Sequence, residues 1–231
     1  SGAQFVAVGD FDPDALSKLV ERGDLASVPL TAAVAASLLV TTVAAGQSRI
    51  ELTPFVGGFL PTGSLGRAAI PGPGGSSVSA TVEMKTAGAL GARLSYSGAG
   101  RLGVEGEYFF AASDMRVALG PFPAVVDADV QGGGVKLTYR ATSEQSGTDL
   151  TLAAGIGGIS HGGTAFRLGS SQFDLAGMAG AGLRVDVSPL VTLRFDGTLY
   201  GYSWSYGLPG FGSSRQFDAL VTAGLAIKMG R

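Results

Sequence analysis

The sequence predicts an all-β chain: an eight-stranded antiparallel up-and-down transmembrane β-barrel, preceded by a short non-barrel N-terminal segment. Three observations carry this reading. From about residue 49 onward, apolar residues recur at every second position, the period of strands whose two faces meet different solvents. Hydrophobic residues make up 45% of the chain and charged ones 15%, yet after residue 46 no apolar run reaches the roughly 18 residues of a spanning helix. Glycine accounts for 38 of 231 residues, more than twice its usual share of about 7%.

The first 46 residues have a different pattern. Residues 4–8 (QFVAV) read as a short strand, and Asp12 with Pro13 as the N-cap and first position of a helix that Gly23 closes. The stretch FVAVGDFDPDALSKLVERGDLASVP resembles a strand-plus-helix fragment of the pitrilysin/insulinase-type zinc peptidases. Those peptidases need an H-x-x-E-H helix. The only histidine here is His161, far away in another context, so the resemblance to residues 1–29 implies no activity. Residues 30–46 then form an apolar segment with small residues suited to cleavage near Ala44–Gly46, as in a secretory signal peptide. A buried Ala-rich helix is the alternative. The expected organisation is therefore 1–29 as a fragment or tail, 30–46 as the signal-like segment, and 47–231 as the barrel.

Within the barrel region the alternation predicts strands at about 49–60, 80–96, 101–112, 124–141, 149–159, 172–187, 190–203 and 215–230. In the eighth, Phe217, Ala219, Val221, Ala223, Leu225, Ile227 and Met229 oppose Gln216, Asp218, Thr222 and Lys228. In the second, Val82, Met84, Leu90 and Leu94 share one parity. The fourth breaks the rule. Asp127, Asp129 and Gln131 are polar on the parity where Val135, Leu137 and Tyr139 are apolar, and a β-bulge at Gly132–Gly134 is expected to shift the phase. Several strands reach ten residues, enough to cross a bilayer when tilted.

The connections alternate in length. Those after strands two, four and six are short, at 97–100, 142–148 and 188–189. Those after strands one, three, five and seven are longer, at 61–79, 113–123, 160–171 and 204–214. Short turns alternating with long loops around an even number of strands is the arrangement of outer-membrane barrels, with the short turns facing the periplasm.

With these strands on the page, ELTPFVGGFLPTG and LVTAGLAIKMGR resemble the first and last strands of small bacterial outer-membrane β-barrel proteins of the OmpA-type superfamily. The resemblance covers about four-fifths of the chain through pattern. It implies a bacterial outer-membrane location, lipid and lipopolysaccharide as surroundings, the barrel-assembly machinery as a partner, and a monomer. One departure is the C-terminus, Met229-Gly230-Arg231, where such barrels often end in an aromatic residue.

An eight-stranded barrel is just wide enough to be filled by its own side chains. Charges on the polar parity are Arg93, Arg101, Glu105, Glu107, Asp129, Arg184, Asp186, Arg194 and Asp196. Pointing inward, they are expected to form a structural ion-pair network, because isolated charges in a narrow lumen cost too much. A soluble lipocalin-like barrel, with these charges in bulk water and a cavity for a small ligand, is the alternative.

No catalytic constellation stands out, and no cofactor or metal is expected. Gly158-Ile-Ser160-His161-Gly162 matches G-x-S-x-G, but that mechanism needs a strand-to-helix elbow with the histidine arriving from elsewhere. An outer-membrane lipid-modifying enzyme using Ser160 and His161 is a second alternative, although neighbours on a strand point oppositely. Gly155-x-Gly157-x-x-Ser160 is a broken dinucleotide fingerprint. With no cysteine there is no thiolate metal site, and the net charge of −2 provides no footprint for nucleic acid. Phe122, Phe166, Trp204, Tyr206 and Phe211 fall in or beside the long connections, where they read as membrane-interface anchors. The function class expected is non-enzymatic: structural, adhesive or small-molecule passage.

Overall fold

The computed structural model describes residues 49–71, 77–98, 100–120, 122–142, 147–166, 173–204 and 214–229. The readings of 1–29 and 30–46, and those of Tyr206 and Phe211, lie outside the described residues. The strands are β1 (Arg49–Pro61), β2 (Ser64–Pro71), β3 (Ser77–Met84), β4 (Ala87–Ser97), β5 (Leu102–Leu119), β6 (Phe122–Arg140), β7 (Thr148–Gly162), β8 (Phe173–Asp186), β9 (Val191–Trp204) and β10 (Ser214–Met229). A single 3-10 turn, Thr164–Phe166, follows β7 among the described residues.

Eight strands close a ring. From β1 the pairing runs through β4, β5, β6, β7, β8 and β9 to β10, which returns to β1, every pair antiparallel. Closure leaves no free edge in the ring and so satisfies the backbone of every strand in it. Between β1 and β10 the ladder skips Thr53 and Pro54, as expected where proline has no N–H to donate.

The remaining two strands extend the wall beyond the ring. β3 pairs with the far part of β5 (Met84↔Met115 to Ala80↔Leu119), and β2 pairs with β3. β5 and β6 also run on together to Leu119↔Phe122. Two of the expected long loops are therefore largely sheet. The span 61–79 holds β2 and the start of β3, and 113–123 is a hairpin tip with Gly120 at φ 57°, a left-handed conformation that glycine adopts without strain.

The expected phase slip is also in a different strand. The β5–β6 and β6–β7 registers run unbroken through Gly132, Gly133 and Gly134, so no bulge sits there. The slip falls between β3 and β4: Met84 faces Met115, but Gly88 faces Ala112, leaving one extra residue at Lys85-Thr86. In consequence Val82 and Met84 are buried while Leu90 and Leu94 are exposed, though all four share a parity.

Candidate functional site

The site is the barrel interior, and the outer wall explains its polarity. Around the ring, Leu52, Val56, Leu94, Leu137, Leu152, Ile156, Leu183, Leu199, Val221 and Leu225 are all exposed on the outside. A band of this kind is suited to lipid. It also rules against the soluble-barrel expectation, in which the charges would take the outer face. Farther along β5 and β6 the outer face turns polar, with exposed Arg116 and Asp127 and partly exposed Asp114, Asp129 and Gln131.

Inside, at the level of the apolar band, the side chains are charged. Glu105 and Glu107 from β5, Arg93 from β4, Lys136 from β6, and Arg194 and Asp196 from β9 meet in the lumen, each nearly or fully buried. Arg93 binds Glu107 through Nε, Asp196 at 3.2 Å and the Thr222 hydroxyl at 2.9 Å. Lys136 Nζ lies 3.1 Å from both Glu105 and Glu107. Arg194 donates to Glu105 and to Asp196, each at 2.7 Å. Nearer the short-turn end, Arg184 donates to buried Glu51. Each carboxylate thus faces at least one guanidinium or ammonium, which offsets the cost of stripping it of water.

Beyond this layer the interior becomes apolar. Phe59 and Phe109 stack at 5.8 Å between ring centroids, and Tyr200 lies 5.5 Å from Phe109. Leu220, Val130 and Ile159 are fully buried beside them in the same core, joined farther out by Val82, Met84 and Met115. Two residues couple the layers. The Arg93 guanidinium sits 4.1 Å from the centroid of Phe55, within cation–π range. Tyr200 packs on Phe109 while its hydroxyl donates to Glu107 at 2.5 Å.

Inward-facing glycines leave room for these large groups. A Cβ on Gly91 would strike the Phe55 ring, one on Gly132 the Phe109 ring, and one on Gly134 or Gly157 the Met178 sulfur. Such contacts are the mark of glycine in a strand where another group approaches closely. Gly132, Gly134 and Gly157 are therefore sockets for side chains that lean over from nearby strands of the wall, which accounts for a Gly-rich segment that holds no bulge.

At the far end, His161 is fully buried in an aromatic box. Its ring lies 4.5 Å from Trp204, 5.7 Å from Phe166 and 5.9 Å from Tyr202, centroid to centroid. The Tyr202 hydroxyl donates to Asp218 at 2.6 Å and stands 3.4 Å from His161 Nε2. Phe166 and Trp204, expected as interface anchors, are instead buried inside, whereas Phe122 is exposed. Trp204 turns inward because its parity in β9, shared with Tyr202, faces the lumen, and the 3-10 turn after β7 lays Phe166 against His161 and Trp204. Ser160 and His161 leave β7 on opposite faces, with only the latter buried, so they form no dyad.

Of the nine charges expected in the lumen, Arg93, Glu105, Glu107, Arg194 and Asp196 are brought together, and Arg184 forms a separate pair with Glu51. Three are placed elsewhere. Asp129 is on the outer face, because the unbroken β6 register keeps it on the same side as Val135 and Leu137. Arg101 is exposed at the β4–β5 turn and reaches the Tyr139 hydroxyl at 3.3 Å. Asp186 is at the rim, accepting from Lys228 at 2.7 Å and Thr192 at 2.5 Å. Sequence reasoning missed Glu51 and Lys136. Lys136 was legible as the polar residue between Val135 and Leu137, and Glu51 as the one between Ile50 and Leu52.

No protein-family model matches the chain, and no curated protein matches its sequence. Solved structures do match it in fold. The outer membrane protein OprG from Pseudomonas aeruginosa aligns over 80% of this chain and 99% of its own, at a TM-score of 0.55 and 12% identity. The outer membrane protein AlkL, determined in DMPC lipid bilayers, aligns over 83% of this chain and 95% of its own, at a TM-score of 0.52 and 15% identity. The chain shares the fold of bacterial outer-membrane β-barrels.

Proposed function

Taking that fold as premise, we propose that this protein is a non-enzymatic outer-membrane barrel whose lumen is closed by its own side chains. It anchors in the bilayer by its apolar band and holds the β2–β3 and β5–β6 hairpins outside the cell, with the short turns in the periplasm. Its surroundings are outer-membrane lipid and lipopolysaccharide, and it works as a monomer inserted by the barrel-assembly machinery. The role is structural or adhesive rather than passage through the lumen.

One observation carries the reading: the interior is occupied along its length. Arg93 and Arg194 are 1% and 2% exposed in the charged layer, and Phe59, Phe109 and Leu220 are each 0% exposed in the apolar layer above it. An ion entering from below would have to break paired charges and then cross a dry aromatic disc, where an unpaired charge is costly. Ser160 and His161, on opposite faces of β7, offer no nucleophile and base within reach of one another.

The test is electrical. The purified barrel in a planar lipid bilayer is expected to pass no steady current, and a stable ohmic pore would overturn the closed-lumen reading. Heat-dependent migration on a detergent gel is expected alongside. Extraction as a detergent-independent soluble protein would overturn the membrane reading itself.

A further inference from the structure

At the short-turn end the lumen opens to solvent through a shallow cleft. Arg194 and Glu105 of the charged layer line its inner part, with Arg184, Thr138 and Thr151 beside them and Arg101 and Leu102 at the turn. The inner part is close to neutral. Arg93, Lys136, Arg184 and Arg194 are matched by Glu51, Glu105, Glu107 and Asp196. The lip is not neutral. Arg101 has no carboxylate partner among the described residues, and its one hydrogen bond there is to the Tyr139 hydroxyl. Arg184 commits Nη2 to Glu51, and among the described residues its Nε and Nη1 make no hydrogen bond.

The cleft thus combines a guanidinium without a counter-charge, a second guanidinium with donors to spare, and threonine hydroxyls. Forked N–H donors with hydroxyls match the oxygens of a phosphate group, and charge-assisted bonds of this kind are the strong ones. The lip has a second character. Leu102 is 67% exposed, and Leu94 and Leu137 are exposed on the adjoining outer wall. An anion seated against Arg101 therefore has apolar surface beside it.

We propose that this cleft binds a phosphate group, with Arg101 and Arg184 supplying guanidinium donors and Thr138 and Thr151 hydroxyl donors. The phosphate has two possible sources: the headgroup of an anionic phospholipid whose chains lie on Leu102 and its neighbours, or a free phosphate. The proposal requires the barrel and its short-turn rim but not a closed lumen, so a conducting barrel would leave it standing.

The test uses the full chain refolded in a maltoside detergent, which carries no phosphate. Inorganic phosphate is titrated by calorimetry, and retention of phosphatidylglycerol against diacylglycerol is read by native mass spectrometry. Retention of phosphatidylglycerol but not diacylglycerol, reduced about tenfold by Arg101→Gln, supports the lipid source, the loss being that of one charge-assisted bond. Saturable binding of inorganic phosphate with the same loss and no lipid retention supports the free source. Arg116→Gln, at the far end of β5, is expected to leave either unchanged. Arg184→Gln strips Glu51 of its partner and risks the fold, so Thr151→Val serves as the second variant and is expected to weaken binding less than Arg101→Gln. Binding of neither probe overturns the proposal, as does binding that Arg101→Gln does not weaken.

Discussion

The two halves of the barrel interior are built on opposite principles. Toward the short turns the lumen is ionic, and the wall outside it is apolar. Toward the far hairpins the lumen is mainly an aromatic and aliphatic core, with His161 and Asp218 buried among the rings, and the wall outside β5 and β6 carries Asp114, Arg116, Asp127 and Asp129. A strand always places alternate residues on opposite faces, so a change of solvent along its length must invert which face is apolar. Where lipid surrounds the wall, polar groups can go only inside and must pair there. Where water surrounds it, the same strands fold like a soluble sheet over a dry core. β6 shows both regimes in one unbroken register, with Lys136 inward beneath lipid-facing Leu137 and Val130 inward beneath water-facing Asp129.

The comparison can be broken first at Arg93. This side chain contacts Glu105, Glu107, Asp196 and Thr222, and replacing it with leucine leaves buried carboxylates short of a cation. The expected loss of unfolding free energy is about 3–5 kcal/mol, measured by urea titration in lipid vesicles. Trp204, the sole tryptophan, serves as the fluorescent reporter. A loss below about 1 kcal/mol would mean that the ionic layer is not an interdependent network.

The next change probes the joint between the layers. Gly132→Val places a side chain where the Phe109 ring now lies. Overpacking of this kind costs about 1–3 kcal/mol. Pairing it with Phe109→Ala tests the cause, since the double variant should show less than the sum of the two single losses.

In the far half, Tyr202→Phe removes the hydroxyl that donates to buried Asp218. Leaving that acceptor without its donor is expected to cost about 1–2 kcal/mol in the same titration. The smallest effect belongs to the rim. Lys228→Met breaks the 2.7 Å pair with half-exposed Asp186, and it should change stability by less than about 1 kcal/mol because water screens the pair. If the rim change cost as much as the Arg93 change, burial would not be what separates the two regions.

Much of this was legible in the residues, and the failures have one origin. The ring strands were readable because lipid-facing positions such as Leu102, Val104, Tyr108 and Phe110 keep one parity, with only Gly106 between them. Beyond the lipid the alternation changes sense, and there the reading failed. Asp127, Asp129 and Gln131 looked like a phase slip and were actually a change of solvent. The real slip, at Lys85-Thr86, was hidden because a bulge and an inversion of polarity coincide there, so that Val82, Met84, Leu90 and Leu94 kept one parity. The β2–β3 and β5–β6 extensions read as loops because they carry no regular lipid-facing alternation, yet their described residues pair strand to strand.

The sequence by itself determined that eight strands alternate against lipid and that charges must share the lumen, because a period of two and the cost of an unpaired charge are properties of single strands and single side chains. Only the tertiary structure decided which charges meet and where the lumen turns apolar. Those outcomes depend on register across strands far apart in the chain, such as Arg194 against Glu105 and Arg93 against Asp196. They depend equally on the glycine sockets that let the Phe55 and Phe109 rings lie over the neighbouring strand.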